Sequence, residues 1–474
     1  MQCFNSMKGK YKRAISTSTA IIIAVVVIIL IVVGVVAYFQ QMGSHAPTSS
    51  SSITTQSSLS STSQSQTSTQ QVIKIGALLP LTGQLSSVGA EAQQVLMYAQ
   101  DQANSLLKQL GVNMQVQVVI EDTATNPQTA LSDLQTLYSQ GVKLVIGPFS
   151  SGELRQIMSY AESNGIMLFS PSSTSPALAT PDRINGTIFR DVPNDTYQGA
   201  VIANIMYQQG IRAIAVIWRG DTYGDGLVSV VNKTFTALGG KVMLVARYDP
   251  STTDFSSYVS TLANTISQLI NQYGKDHVAV YDVSFEEGAS ILQLASQYPQ
   301  LTEVKWYGSD GTAGVGSIVQ NPVAAQVAVE TLFLNPIAAP AHTVFYDQLT
   351  QHFNKTLQAY SYITYDIFWI YFYSVLKVGS DNVTAIKSIL PKVAAKFYGA
   401  SGYHLFDKYG DRVSGVYQLQ IVNKTASGYE WTIYGIYDVT THTLTIGFPP
   451  ATQPPQGYLY PDDPQAQSKL SSIS

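Results

Sequence analysis

The alternation of short apolar runs with longer segments of helical periodicity is the feature that most constrains the fold of this chain. From residue 72 onward, each apolar run is followed by a polar loop and then by a helical segment. Strands that alternate with helices pair in parallel, because each helix returns the chain to the starting edge of the sheet. The sequence therefore predicts an α/β protein built on doubly wound parallel sheets.

The alternation stops once and then restarts, which indicates two sheets and hence two lobes. The break falls at residues 188–193. The predicted strands before it are 72–79, 114–121, 143–147 and 166–169, and those after it are 213–217, 241–246, 278–281 and 304–307. The later part is less regular, with an apolar helix predicted at 361–378, a helix at 382–397 and strands at 403–412, 415–422 and 431–437.

Polar loops follow the strands of the first predicted sheet at its carboxyl edge. Ser151 lies at the start of a predicted helix, with Glu153 in its first turn, and residues 170–174 form a second hydroxyl-rich loop. Ligands of open α/β sheets bind at this edge, and a helix N-terminus there favours a carboxylate or phosphate. The alternative is that these hydroxyls only cap helices and fill turns.

The second predicted sheet has loops of a different chemistry at the same edge. Tyr223, Phe285 and Asp310 supply aromatic rings and a carboxylate, whereas Ser151, Ser172 and Thr174 supply hydroxyls on lobe 1. An acid framed by aromatic rings suits a bound ammonium. Together the loops predict a zwitterion held between two lobes, although Thr174, Tyr223 and Asp310 could instead stabilise their own turns.

Composition and missing motifs exclude several other functions. Only 12% of the residues are charged and the formal net charge is −4, which argues against a nucleic-acid partner. One cysteine, Cys3, permits neither a disulfide framework nor a thiolate metal site. The sequence contains no phosphate-binding GxxxxGK, no GxGxxG, no GxSxG and no HExxH. We therefore predict no cofactor, no metal site and no catalytic residue. Strand-end carboxylates would allow glycosidase chemistry, but their spacing singles out no pair.

The first 71 residues have the composition of an export and anchoring segment. A basic leader (1–14), possibly cleaved, precedes an apolar stretch (15–40) long enough to span a bilayer, and a Ser/Thr/Gln-rich linker (41–71) follows. The basic side should stay in the cytoplasm, so we expect a single-pass cell-membrane protein with its C-terminal domain outside. A secretory signal is the alternative. Residues 12–16 resemble the prepilin-like leaders of archaeal surface proteins, and six Asn-X-Ser/Thr sequons fit an exported glycoprotein.

The order of the loop motifs resembles the leucine/isoleucine/valine-binding family, the type 1 periplasmic-type receptors of ABC importers. The resemblance covers residues 72–440 and is carried by residues 75–83, 121–127, 145–151, 170–174, 223–226 and 307–310. It implies two lobes joined by a three-crossing hinge around a ligand cleft. Lobe 1 would comprise 72–190 and about 336–400, and lobe 2 would comprise 191–335 and about 401–448. The Pro/Gln/Ser-rich residues 449–474 would be a flexible tail.

The resemblance also implies a role for each candidate residue. Ser151 falls where the family places a hydroxyl on the ligand carboxylate, and Ser172 where it uses a backbone group. The remaining matches are Thr174 for a hydroxyl on the ammonium or carboxylate, Tyr223 for the closing tyrosine, Phe285 for a second aromatic, Asp310 for the acid on the ammonium, and Val88 for a position that is a large aromatic in some relatives. A valine there implies a wider pocket.

The implied function is an extracellular solute receptor for branched-chain or other amino acids. It would deliver its solute to an ABC permease and a cytoplasmic ATPase. Two alternatives remain open: the same fold binding amides, urea or aromatic carboxylates, and a sensory or adhesion ectodomain without transport. Gene neighbourhood separates transport from sensing.

Overall fold

The computed structural model describes residues 70–413, 416–439 and 441–474, which all belong to one compact unit. The predicted leader, the anchor at 15–40 and nearly all of the linker lie outside the described residues. Within the described part of the chain, no helix combines the length and apolar character needed to cross a membrane. The membrane anchor and the extracellular location therefore stay predictions.

The first lobe contains a parallel five-stranded sheet in the order β2-β1-β3-β4-β5. Its strands are β1 (Gln71–Leu79), β2 (Met114–Asp122), β3 (Leu144–Ile146), β4 (Met167–Ser170) and β5 (Ile188–Arg190). Helices Ser86–Gln109, Pro127–Ser139 and Ser151–Ser163 connect the first four strands. Strand side chains pack into one buried cluster on each face of the sheet, so both faces are covered, as a parallel sheet requires. The predicted doubly wound sheet is confirmed.

A long aromatic helix, Ala359–Val378, fills the core of lobe 1. Every residue from Ala359 to Val375 is buried. Tyr371 donates its hydroxyl hydrogen bond to backbone carbonyls of β3 and β4, at 3.3 Å from Val145 and 3.2 Å from Met167. A helix that is apolar on all sides belongs inside a protein, and the predicted buried helix is confirmed. Helices Val344–Phe353 and Val383–Ala394 flank it.

The second lobe contains a parallel four-stranded sheet in the order β7-β6-β8-β9. The strands are β6 (Ala213–Arg219), β7 (Lys241–Tyr248), β8 (Val278–Val283) and β9 (Lys305–Tyr307). Buried clusters again cover both faces. The helices of this lobe are Asp195–Gln208, Thr222–Ala237, Ser256–Tyr273, Gly288–Ala295, Pro299–Thr302, Gly316–Gln320 and Pro322–Glu330.

An antiparallel sheet that the sequence did not predict as a separate unit follows, in the order β10-β13-β14-β15. It comprises β10 (Asn335–Ala338), β13 (Val416–Thr425), β14 (Gly428–Asp438) and β15 (Thr443–Ile446). Its residues Leu419 and Val422 belong to the two cores of lobe 2. The two predicted strands at 415–422 and 431–437 are therefore present, and the structure extends both.

Residues 401–412 differ from the prediction in both structure and lobe. We predicted a strand at 403–412 and placed the segment in lobe 2. The structure has only the short strand β12 (Gly402–Tyr403), paired with β11 (Tyr398–Gly399). Phe406 contacts Phe169 and Phe189 of lobe 1 with ring centroids 5.6 Å apart in both cases. Asp411 binds the buried guanidinium groups of Arg183 and Arg190, which need an anionic partner away from water.

The C-terminal residues 449–474 also differ from the prediction of a flexible tail. Leu459, Ala466 and Leu470 are buried in the core of lobe 1, and the last two lie in the short helix Ala466–Ser471. The backbone N–H of Leu459 donates to the carbonyl of Lys396 at 2.7 Å. The Pro/Gln/Ser composition predicted a flexible segment because its apolar residues are few and widely spaced. The burial of those residues holds the segment against lobe 1.

Candidate functional site

The helix Ser151–Ser163 begins at the carboxyl edge of the first sheet and points its N-terminus toward the second lobe. Ser150, not Ser151, is the N-cap: it is extended (φ −80°, ψ 150°) and exchanges side-chain hydrogen bonds with Glu153 in a capping box. The helix begins at Ser151 as predicted, whereas the capping hydroxyl is that of the preceding residue, Ser150. The Ser151 hydroxyl accepts a hydrogen bond from the Ser175 backbone N–H at 3.1 Å, which ties the two polar loops of lobe 1 together.

The loop after β4 places only one of its two candidate residues at the cleft. Ser172 lines the cavity between the lobes, and its hydroxyl donates to the Phe149 carbonyl at 2.7 Å. Thr174 is buried and does not line that cavity. Its carbonyl accepts a hydrogen bond from the backbone N–H of Asp195 at 2.9 Å. Thr174 therefore supports the start of the helix Asp195–Gln208 in this state.

On lobe 2, the three predicted residues form one contiguous group. Tyr223 lies in the first turn of the helix Thr222–Ala237, which is capped by the side chain of Asp221. The rings of Tyr223 and Phe285 stack with centroids 5.2 Å apart and planes at 22°. The Tyr223 hydroxyl donates to Asp310 Oδ1 at 2.5 Å. The predicted acid is thus framed by aromatic rings, as the loop composition indicated.

Asp310 is 5% exposed and has three polar partners. Tyr360 donates to its second carboxylate oxygen, and the Asp310 backbone N–H donates to Gln198 Oε1 at 2.9 Å. Burial raises the pKa of Asp310, and the hydrogen bonds from Tyr223 and Tyr360 oppose that rise. Burial and then the charge of Asp310 also raise the pKa of Asp195. A cation beside Asp310 would stabilise its ionised form.

Tyr360 is a cavity residue that the sequence analysis missed. It occupies the first turn of the helix Ala359–Val378, which was predicted to begin at residue 361 and to be buried. It lines the cavity, whereas most of that helix packs in the core of lobe 1. Its position next to the predicted helix start at residue 361 was the available signal, since the N-terminus of a helix can bind a ligand.

A cavity of about 30 Å³ lies between the lobes. Six of the seven candidate residues line it: Val88, Ser151, Ser172, Tyr223, Phe285 and Asp310. Further lining comes from residues that the sequence did not single out as ligand contacts, namely Leu85, Ser87, Phe149, Ser150, Glu286, Gly311, Ala313, Val315, Gln358 and Tyr360. This volume admits about two water molecules, so an amino acid enters only after the surrounding residues move.

Direct hydrogen bonds hold the two lobes together at the rim of the cavity. Gln84 donates to the Pro250 carbonyl at 2.6 Å and accepts from Arg219 at 2.9 Å. The Gln84 carbonyl accepts from the backbone N–H of Glu286 at 3.1 Å. On the far side, the Ser175 hydroxyl donates to the Thr222 carbonyl at 2.7 Å. Gln84 is therefore the central residue of the interlobe contact.

The charges that line the cavity are negative. Asp310 and Glu286 are its two carboxylates, and its lining contains no lysine or arginine. Arg219 lies nearby but its charge is neutralised, because it binds Glu287 at 2.6 Å and Asp221 at 2.7 Å. Burial lowers the pKa of Arg219, and these two carboxylates outweigh that effect and raise it. The electrostatics therefore favour a solute that carries an amine. Within the described residues, no group of His, Cys, Asp or Glu side chains is placed to hold a metal ion.

Comparison with known proteins agrees with this geometry. The family model described as "Receptor family ligand binding region" matches residues 91–425. The chain belongs to this family. Its fold is that of the type 1 periplasmic binding proteins related to leucine-, isoleucine- and valine-binding proteins, so the predicted family is confirmed. Members of this group are solute-binding proteins, and the prediction of a binding protein rather than an enzyme is confirmed as well.

Sequence relatives of this family member come from archaea and bacteria. An uncharacterised protein of Methanocaldococcus jannaschii is 28% identical over 394 residues, which cover 79% of this chain and 91% of the relative. The leucine-, isoleucine-, valine-, threonine- and alanine-binding protein of Pseudomonas aeruginosa is 29% identical over 200 residues, 42% of this chain and 52% of the relative. The match to that amino-acid-binding relative thus spans about half of its length.

Solved structures show the same fold at lower identity. The leucine-binding protein LivK of Thermotoga maritima aligns with a TM-score of 0.63 at 21% identity, covering 78% of this chain and 99% of LivK. The branched-chain amino-acid transporter substrate-binding protein LivJ of Streptococcus pneumoniae, in complex with isoleucine, aligns with a TM-score of 0.60 at 20% identity, covering 77% and 100% of the two chains.

Proposed function

We propose that this family member is the solute receptor of an ABC importer and binds an amino acid between its lobes. The observation that carries the proposal is the buried Asp310 carboxylate, which faces a cavity lined by no basic side chain. An α-ammonium group is the cation that such a carboxylate binds with charge-assisted hydrogen bonds. The amino-acid-binding relatives support the same class of solute.

The carboxylate of the solute would lie at the N-terminus of the helix Ser151–Ser163. Ser150 and Ser151, at the start of that helix, line the cavity wall opposite lobe 2. Free N–H groups and the partial positive charge of a helix N-terminus bind a carboxylate without a basic side chain. A zwitterion thus has complementary groups on both lobes, which explains how binding would favour closure.

The solute class can be tested with analogues that lack one charged group. Calorimetric titration of the full-length protein with L-leucine, 4-methylpentanoic acid and isopentylamine separates the two contributions. We expect L-leucine or another amino acid of a standard panel to bind and both truncated analogues to bind at least about 100-fold more weakly. Equal binding of a des-amino analogue would favour an amide or aromatic carboxylate as the solute. The absence of binding by every amino acid would reject the proposal.

The proposed cellular context is an exported protein tethered by residues 15–40 with its folded domain outside the cell. The basic leader, the apolar stretch and the sequons support this arrangement. Protease added to intact cells should degrade the folded domain and spare a short anchored fragment. Protection of the domain would contradict the proposed topology. Co-purification of a permease and an ATPase would support transport, whereas co-purification of a signalling partner alone would favour the sensory alternative.

A further inference from the structure

A second, larger cavity lies beside the ligand cavity, and one side chain belongs to the walls of both. The second cavity has a volume of about 460 Å³ and is lined from lobe 1 by residues such as Tyr362 and from lobe 2 by residues such as Gln420 and Trp431. Gln358 lines this cavity and also the 30 Å³ cavity that contains Asp310. Gln358 is therefore part of the partition between a space too small for an amino acid and a space with ample room.

The backbone of Gln358 is fixed, whereas its side chain is not. Its N–H donates to Glu91 Oε2 at 2.8 Å, and its carbonyl accepts from the Ser361 N–H at 2.9 Å. The Gln358 side-chain amide makes no hydrogen bond to any residue that the structure describes. A side chain held only by packing changes rotamer readily, so Gln358 can swing without disturbing the helix that follows.

The opposite side of the partition is a glycine that brings backbone close to Gln358. Gly314 has φ +76°, and a Cβ added there would lie 3.2 Å from Gln358 Cγ. The next residue, Val315, lines the small cavity, and its carbonyl accepts a hydrogen bond from Trp431 Nε1 at 2.9 Å. The lobe 2 side of the partition is thus backbone held by a hydrogen bond, whereas lobe 1 contributes the Gln358 side chain, which has no hydrogen bond to the described residues.

The second cavity also contains a buried acceptor without a partner. Gln418 is 2% exposed, and its Oε1 accepts a hydrogen bond from Gln420 Nε2 at 3.2 Å. The other side-chain polar atom of Gln420, Oε1, is buried and has no hydrogen-bond partner among the described residues. A buried acceptor is stabilised by a donor, and a ligand N–H or O–H would supply one. The ring of Trp431 lines the same space and offers apolar surface.

We infer that the two cavities become one binding site when the Gln358 side chain moves aside, and that the solute is an elongated amine. Its α-ammonium group would bind Asp310, and its tail would pass Gln358 and donate a hydrogen bond to Gln420. This inference rests on the proposed function and narrows its solute class from branched-chain amino acids to solutes with a donor-bearing tail. An amino acid with a long amide side chain and a short peptide share this chemistry.

Calorimetric titration of the full-length protein distinguishes these possibilities with four probes: L-alanine, L-leucine, L-glutamine and L-alanyl-L-glutamine. We expect L-glutamine, the dipeptide or both to bind at least about tenfold more tightly than L-leucine. Tighter binding of L-glutamine identifies an amino acid as the source of the tail, and tighter binding of the dipeptide identifies a peptide. If L-leucine or L-alanine binds most tightly, the inference fails while the proposed function stands. If no probe binds, the inference fails, and the proposed function is then decided by the full amino-acid panel.

Two substitutions test the path of the tail. Gln420→Leu removes the unpartnered acceptor at similar size and should weaken binding of the preferred elongated probe about fivefold. Gln358→Trp fills the passage and should lower the affinity ratio of the elongated probe to L-alanine at least about tenfold. Gln351→Trp introduces the same side chain at an exposed glutamine of a neighbouring helix and should leave this ratio unchanged. An unchanged ratio in Gln358→Trp would overturn the inference.

Discussion

Replacement of Asp310 by asparagine should separate ligand binding from stability. The substitution keeps the size of the side chain and one acceptor oxygen for Tyr223 or Tyr360, and it removes the negative charge. In the proposed complex that charge is the partner of the solute ammonium. In the free protein, burial raises the pKa of Asp310, which means that the folded state disfavours its ionised form. The two states therefore respond to the substitution in opposite directions.

The expected magnitudes follow from the burial of the group. Loss of one partner of a buried, hydrogen-bonded charge pair costs about 2–5 kcal/mol of binding free energy. Asp310 is 5% exposed, so solvent screening does little to reduce this cost. The dissociation constant should rise between about 30-fold and about 5,000-fold. The free energy of unfolding without ligand should stay within about 1 kcal/mol of the wild-type value or increase.

The assay combines titration calorimetry with urea unfolding of the same preparation. Asp276→Asn is the matched control, since Asp276 is an exposed aspartate of lobe 2 and should change neither quantity. Unaltered affinity in Asp310→Asn would refute the assignment of Asp310 to the ammonium. Destabilisation by several kcal/mol together with weaker binding would show that the carboxylate acts through the fold instead.

Three further predictions concern pH, closure and the core of lobe 1. In the free protein, burial raises the pKa of Asp310 above the ordinary value of about 3.9, and a bound ammonium would lower that pKa. The affinity for the solute should therefore fall as the pH falls through the raised pKa of the free protein. Calorimetry between pH 8 and pH 4 measures this dependence. Gln84→Ala removes two side-chain hydrogen bonds between the lobes and should accelerate solute release about tenfold in stopped-flow measurements. Asp411→Asn weakens the anionic partner of two buried arginines and should lower the free energy of unfolding by about 3–5 kcal/mol in urea titration.

Each of these predictions has an outcome that contradicts it. A flat affinity profile down to about pH 4 would mean that no ionised Asp310 takes part in binding. An unchanged release rate in Gln84→Ala, equal to that of the exposed-site control Gln351→Ala, would show that the interlobe bonds do not limit opening. A loss below about 1 kcal/mol in Asp411→Asn would mean that other contacts hold the segment 401–412 on lobe 1.

The parallel sheets were predictable because their signals are local. Each strand of the two lobes reads as a short apolar run, and the loops that follow carry the polar residues at the sheet edge. This placement brings Ser151, Tyr223, Phe285 and Asp310 to one cavity, since the carboxyl ends of both sheets face each other there. The resemblance to the binding-protein family rests on the same loops and agrees with the matched family model.

The features that were missed depend on contacts between residues far apart in the chain. Asp411 is bound to Arg183 and Arg190 across more than 200 positions, and no local pattern shows that the buried arginines draw the segment into lobe 1. In the sequence, Leu459 and Leu470 are isolated apolar residues in a polar segment. Only the structure shows that both are buried in the core of lobe 1. Tyr360 immediately precedes the helix predicted at 361–378, and only the assembled lobes show that it lines the cavity.

A crystal structure of the protein with its bound solute tests the central claim most directly. The account predicts one solute between the lobes, with its amine nitrogen within about 3.2 Å of an Asp310 carboxylate oxygen and its carboxylate at the N-terminus of the helix Ser151–Ser163. A solute bound elsewhere, with the hydrogen bonds of Asp310 to Tyr223 and Tyr360 intact and the cavity between the lobes still empty, would contradict it.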